Sequence, residues 1–174
     1  MKIHDIEIRH IEVPLVRPFR TSFTTQYGRD LLLLKVETDV GTGWSECVAM
    51  NSPLYSPEYT HGCEDVLVRF LIPALRKVND LHAEEVGEIL APFLGHQMAK
   101  AAIETALLDA QLKGQGRSFA SYFGATKDAV DCGVSVGIAN SIDELIEEVK
   151  LYITQGYRRI KRSEEHTSEL QSRG

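Results

Sequence analysis

Apolar residues fall at close to every second position between Ile3 and Leu15, at Ile3, Ile6, Ile8, Ile11, Val13 and Leu15. Alternation of that kind predicts a half-buried strand, and its phase slips once near Arg9 and His10, where a bulge would fit. Pro14 and Pro18 then lead into a polar stretch from Phe19 to Gly28 that reads as a loop. Leu31 to Glu37 and Trp44 to Ala49 read as two more strands, joined by a turn over Asp39–Gly43. Three strands with short turns predict an antiparallel meander.

The period then changes to that of helices. Ser56 before Pro57 reads as a helix start, because serine can cap and proline suits the first turn. Val66, Leu67, Phe70 and Leu71 give that helix an apolar stripe, and Pro73 is expected to end it. A shorter helix is expected from about Ala83 to Leu90. The longest runs from about Gln97 to Lys113, with Met98, Ala102, Ile103, Ala106, Leu107 and Ala110 inward and Gly114 as its stop. Strands followed by helices are the signature of an α+β domain.

Near residue 127 the pattern changes again. Val130 to Val136 reads as a short apolar strand, and Ser141 with Glu144 reads as a capping box. Ile142, Leu145, Ile146, Val149, Tyr152 and Ile153 then trace one helical face. Gly156 suits the position just past the helix end, and Tyr157 to Lys161 reads as another strand. A strand–helix–strand unit normally makes parallel strands with a right-handed crossover. One such unit cannot bury both faces of its sheet, so more strands are expected. Instead Arg162–Ser172 resembles a translated sequencing-adapter read. Residues 162–174 are therefore set aside as a non-native tail.

Composition narrows the classes. The 174 residues are 43% hydrophobic and 25% charged, enough for one good core. A net charge of −6, with acids and bases interspersed, lacks the basic stripe of a nucleic-acid binder. No apolar run is long enough for a membrane span, and the start lacks the plan of a signal peptide, so a cytoplasmic protein is expected. Cys47, Cys63 and Cys132 are odd in number and widely spaced, which argues against a disulfide framework. His61 and Cys63 are neighbours, but no second ligand pair accompanies them, and ordinary packing explains them better than zinc.

Several strings, taken in order, resemble the enolase superfamily. They are Val13-Pro14-Leu15-Val16-Arg17-Pro18-Phe19-Arg20-Thr21-Ser22-Phe23, Glu46–Met50, Leu54–Thr60, Ala101–Ala110, Gly133–Ile138 and Gly156–Lys161. Within that superfamily the chain is most similar to the o-succinylbenzoate synthases that also racemise N-acylamino acids. The resemblance implies an α+β capping domain over residues 1–126, then the first β-α-β unit of a truncated modified (β/α) barrel over 127–161. Ser45 departs from the glycine usual in the family, a change expected to touch only a turn.

Members of this family remove a proton alpha to a carboxylate and hold the resulting dianion on Mg2+, since the second negative charge needs a divalent cation. The resemblance thus implies a small-molecule carboxylate substrate, a homo-oligomer, and for this group a place in menaquinone biosynthesis. The family's base belongs to a Lys-x-Lys pair on the second barrel strand. A free lysine, with a pKa near ~10.4, is a poor base until neighbouring positive charge lowers it. Enolase-superfamily sites are a familiar instance of a lysine base working beside bound magnesium. Residues i and i+2 of a strand point the same way, so both would reach the barrel mouth. Lys161 matches the first of the pair; the second position holds Ser163. Ser135, near the end of the first barrel strand, is implied to contact the carboxylate side of the substrate. Phe19, Met50 and Tyr55, in two capping-domain loops, are implied to shape the pocket for its distal group. Without the resemblance, Lys161 reads as a solvated strand end and Ser135 as a small core residue. The metal ligands would come from later strands, so the chain alone is expected to be inactive. The rival reading is a small stand-alone α+β binding or regulatory module.

Overall fold

The computed structural model describes residues 1–162, so the expected foreign tail and Ser163 lie outside the described residues apart from the backbone of Arg162. The chain divides into two compact units, Met1–Val13 with Arg29–Ala125, and Pro14–Gly28 with the residues from Thr126 onward.

Strands β1 (Ile3–Arg20), β2 (Thr25–Thr38) and β3 (Thr42–Cys47) lie in that order in one three-stranded antiparallel sheet, of which the first unit holds all but the stretch Pro14–Gly28. Strand β2 pairs antiparallel with β3 from Leu32↔Cys47 to Glu37↔Thr42. On the face of β2 toward the core, Leu32, Leu34 and Val36 are wholly enclosed. Against the sheet lies α4 (Gln97–Gly114), which contributes Ala99, Ala102, Ile103, Ala106 and Leu107 to the core. Strand and helix approach so closely that a Cβ on Gly43 would stand 1.8 Å from the Ala106 carbonyl oxygen. Only glycine fits there.

Polar side chains fix the same contact. The Trp44 N–H donates to Asp109 Oδ2 at 2.8 Å, and Ser45 Oγ donates to the Ala102 carbonyl at 2.6 Å. Ser45 lies in β3, within the strand read from the sequence, and its hydroxyl is bonded to α4, so the change from glycine touches this contact and not a turn as expected.

Two helix boundaries also differ from expectation. Helix α1 (Thr60–Val66) begins four residues after Ser56, whose hydroxyl instead accepts the Glu58 N–H at 3.2 Å in a local turn. Nor does Pro73 end the helix. The chain widens into a π segment over Leu67–Leu71, and Pro73 then occupies the first turn of α2 (Ile72–Leu75). A first-turn residue needs no intrahelical N–H bond, so the ring is accommodated there. A 3₁₀ turn (Ala83–Glu85), α3 (Val86–Ile89) and α5 (Phe119–Tyr122) complete the unit.

The second unit contains a hairpin tip and a parallel pair. The stretch expected as a loop after Phe19 is strand on both sides of a tight turn, in which the Thr21 N–H donates to the Thr24 carbonyl at 2.8 Å. Proline is the misleading signal, because it is tolerated on edge strands. Strands β4 (Gly133–Val136) and β5 (Arg159–Arg162) pair parallel, from Gly133↔Arg159 to Val136↔Arg162. Between them α6 (Ile142–Thr154) begins at Ser141, whose hydroxyl accepts the Glu144 N–H. Glu144 reaches back to the Asn140 N–H at 2.9 Å, one residue earlier than a standard capping box requires. Gly156 takes φ +92° just past the helix, as its position predicts. Strand β4 starts later than expected, and Val130 is 85% exposed.

Candidate functional site

The second unit has a cleft of about 570 Å³ between its hairpin and the turn after β4. Phe19 and Ser135 both line it, and so do Arg17, Arg20, Asn140 and Tyr152. Backbone contacts bring the two walls together. The Ile138 N–H donates to the Arg20 carbonyl at 2.9 Å, and a Cβ on Gly137 would lie 3.0 Å from that same oxygen. Absence of a side chain at Gly137 is what lets the hairpin backbone come this near.

Side chains add a second set of ties. Arg17 Nη1 donates to Glu148 Oε1 at 2.6 Å, and the Arg17 guanidinium lies 5.3 Å from the centre of the Tyr152 ring. Arg20 Nη1 stands 3.4 Å from Asn140 Oδ1. Burial pushes the Tyr152 phenol above its ordinary range; the Arg17 charge opposes that shift and the Glu148 carboxylate adds to it. Tyr152 is therefore a neutral hydrogen-bonding group at neutral pH.

Ser135 and Lys161 are register partners on the parallel strands. Paired positions on adjacent strands send their side chains to the same side of the sheet, and both of these are exposed. The structure thus joins Ser135 to Phe19 through the cleft, and Ser135 to Lys161 through the sheet.

Met50 and Tyr55 belong to the first unit, on the segment between β3 and α1. Tyr55 is 74% exposed, whereas Met50 is half-buried. The neck of this segment is closed by Thr60, whose N–H donates to the Met50 carbonyl and whose buried hydroxyl donates to the Ala49 carbonyl, each at 2.9 Å.

Arg17, Arg20, Asn140 and Tyr152 are cleft residues that pattern reading misses. Only the two arginines carry a signal, flanking the Pro18-Phe19 pair. Tyr152 falls in the apolar stripe of α6, and its ring contact with Arg17 is invisible in the sequence.

Among the described residues there is no group of three or more His, Cys, Asp and Glu side chains that could hold a metal ion. The donor set for the magnesium implied by the family is therefore not met by these residues. No described helix is long and apolar enough to cross a membrane.

Residues 3–124 match the family described as mandelate racemase / muconate lactonizing enzyme, N-terminal domain. The chain is 52% identical over 161 residues to an N-succinylamino acid racemase of Amycolatopsis sp, covering 92% of this chain and 44% of that protein. It is 36% identical over 162 residues to the o-succinylbenzoate synthase of Bacillus subtilis (strain 168), covering 92% and 43%. Among solved structures, an enolase-superfamily member from Listeria innocua matches with TM-score 0.87 and 32% identity, over 93% of this chain and 44% of that one. The chain thus spans less than half the length of these relatives.

Proposed function

The chain belongs to the mandelate racemase / muconate lactonizing enzyme N-terminal domain family of the enolase superfamily, and on that footing we propose that it is the first part of an o-succinylbenzoate synthase that also racemises N-acylamino acids. The observation that supports this reading best is the parallel pairing of Ser135 with Lys161 beside a cleft lined by Phe19. Residues at the C-terminal ends of parallel strands are where barrel enzymes carry their chemistry. The match with both a racemase and a synthase fits one site serving both reactions, since each begins by removing a proton alpha to a carboxylate.

Each residue has a definite task in this proposal. Ser135 donates a hydrogen bond to the carboxylate side of the substrate. Lys161 is the first of the lysine pair, a positive charge that favours the carboxylate and eases deprotonation of the lysine that should follow two residues on. Phe19 walls the cleft with an apolar face, and Met50 and Tyr55 shape the space for the succinyl or acyl group. Substrate is a small carboxylate, the setting is cytoplasmic menaquinone biosynthesis, and the whole enzyme is a homo-oligomer. Domain limits of 1–126 and 127–161 follow the family's plan. Magnesium would supply charge stabilisation in the whole enzyme; the described residues offer it no ligand set.

A chimera tests the proposal. Residues 1–161 of this chain replace the corresponding part of the Amycolatopsis racemase, whose own remainder supplies the rest of the barrel. Racemisation of N-succinylamino acids and synthesis of o-succinylbenzoate are then measured with magnesium present. Both activities are expected, with a fall of about tenfold or more in kcat/KM for Ser135→Ala. A folded chimera without either activity overturns the assignment. The 174-residue chain alone is expected to show no turnover.

A further inference from the structure

Two tethers of different kinds bracket Phe19 and tie its strand to the rest of the second unit. One residue on, the Arg20 carbonyl accepts the Ile138 N–H at 2.9 Å. Two residues back, Arg17 Nη1 donates to Glu148 Oε1 at 2.6 Å, and the guanidinium carbon stands over the Tyr152 ring, 5.3 Å from its centre. Residues 17 and 19 of one strand share a side, and both line the cleft. Glu148 and Tyr152 are four apart on α6, so carboxylate and ring are neighbours on one helix face. A planar guanidinium can use both at once, its edge on the carboxylate and its face on the ring. The Tyr152 ring is itself braced. The Tyr157 ring meets it edge-on at 5.6 Å, and the Tyr157 N–H donates to the Tyr152 carbonyl at 3.1 Å. Glu148 is only 19% exposed, so the ion pair is better shielded than one in open solvent. The Phe19 ring lies against Gly137, where a Cβ would stand 3.6 Å from Phe19 Cδ2.

We propose that Arg17 is a positioning residue: by gripping Glu148 and Tyr152 it fixes the strand before Phe19, and so holds that ring in the cleft wall that receives the distal group of the substrate. The backbone bond at Arg20 alone is a single point about which the strand can pivot. A second tether at Arg17 removes the pivot. The charge of Arg17 is met by Glu148, so the residue acts through Phe19 and not on the substrate itself. A loosened Phe19 weakens ground state and transition state alike, which raises KM and leaves kcat in place. That consequence for the substrate rests on the proposed function, whereas the grip on the hairpin does not.

Two measurements test this. The first is amide exchange on the 174-residue chain. Arg17→Met keeps the apolar stem and removes the charge. The amides of Thr21 and Ile138 should then exchange severalfold faster, while those of Leu32 to Val36 stay slow and show that the fold is intact. Glu148→Gln should act in the same direction, and Arg17→Lys, which keeps the ion pair, should restore most of the protection. The second uses the chimera described above with an N-succinylamino acid as substrate. Arg17→Met should raise KM about fivefold with kcat nearly unchanged, and Arg17→Lys should recover most of the loss. Unchanged exchange at Thr21 and Ile138 in Arg17→Met overturns the grip. A fall in kcat with KM unchanged overturns the positioning role, because it places Arg17 in the chemistry. A wild-type chimera that folds without activity counts against the proposed function, and the exchange result still decides the grip.

Discussion

Helices α4 and α6 both carry apolar residues at helical spacing, and they meet opposite fates. In α4 the apolar residues are enclosed, with Leu107 at 0% exposure, because β3 and the segments before it pack over them. In α6 none of the thirteen residues is buried; Ile142 is 75% and Ile153 60% exposed. Yet α6 has the cleaner apolar stripe in sequence. An amphipathic pattern states which face expects a partner and says nothing of whether that partner is present. The first unit is a closed piece of packing, and the second presents an apolar face that nothing among the described residues encloses.

The strongest way to break that contrast is to force the two tight glycines. Gly43→Ala sets a methyl group against the backbone of α4 and should cost about 4 kcal/mol or more, measured by urea unfolding. Gly137→Ala meets the hairpin oxygen at 3.0 Å, a contact that small shifts relieve, and should cost about 1–2 kcal/mol. Equal costs would mean that the second unit is packed as firmly as the first.

Truncation on the two helices sharpens the same point. Leu107→Ala removes an enclosed side chain and should cost about 2–5 kcal/mol. Ile153→Ala should stay within about 0.5 kcal/mol, the range of a surface change. If Ile153→Ala proves comparably destabilising, α6 has a partner in solution, and the contrast fails.

Sequence pattern carries most of the first unit, because its core is built from alternation and helical spacing that are local properties. The strand over Leu31–Glu37 is readable, as are the limits of α4 and the cap at Ser141. The misses are places where distant groups decide. Glu58 sits in a loop, yet its carboxylate accepts the N–H groups of Met98 at 3.0 and 2.9 Å and of Ala99 at 3.2 Å, so it caps a helix forty residues away. Nothing near Glu58 announces that. Pro73 fails as a stop because a π segment upstream resets the register. At the candidate site, the strand that bears Ser135 and the position of Lys161 are legible, while the cleft is not. Its hairpin wall reads as loop, and its ties through Arg17 and Arg20 join residues more than a hundred positions apart.

Glu58 also yields a mid-sized prediction. Glu58→Gln keeps the shape but loses the negative charge at the start of α4, and should cost about 1 kcal/mol. Its effect should appear as faster amide exchange in the first turn of α4, with α6 unchanged.

The smallest effect concerns pH. Glu84 accepts hydrogen bonds from Gln111 Nε2 and the Tyr122 hydroxyl, tying the 3₁₀ turn to α4 and α5. The Gln111 bond foremost holds its carboxyl below the ordinary range. A carboxyl lowered on folding stabilises the fold above its unfolded pKa, near ~4.3, and that contribution fades as pH falls through the lower folded value. Glu84 is mostly solvated, so the effect is small. Urea unfolding of the wild type and Glu84→Gln from pH 7 to 3 should show a modest gap at neutral pH that closes on acidification. A gap that widens toward pH 3 would reverse the sign and mean that the carboxyl is bonded in its protonated form.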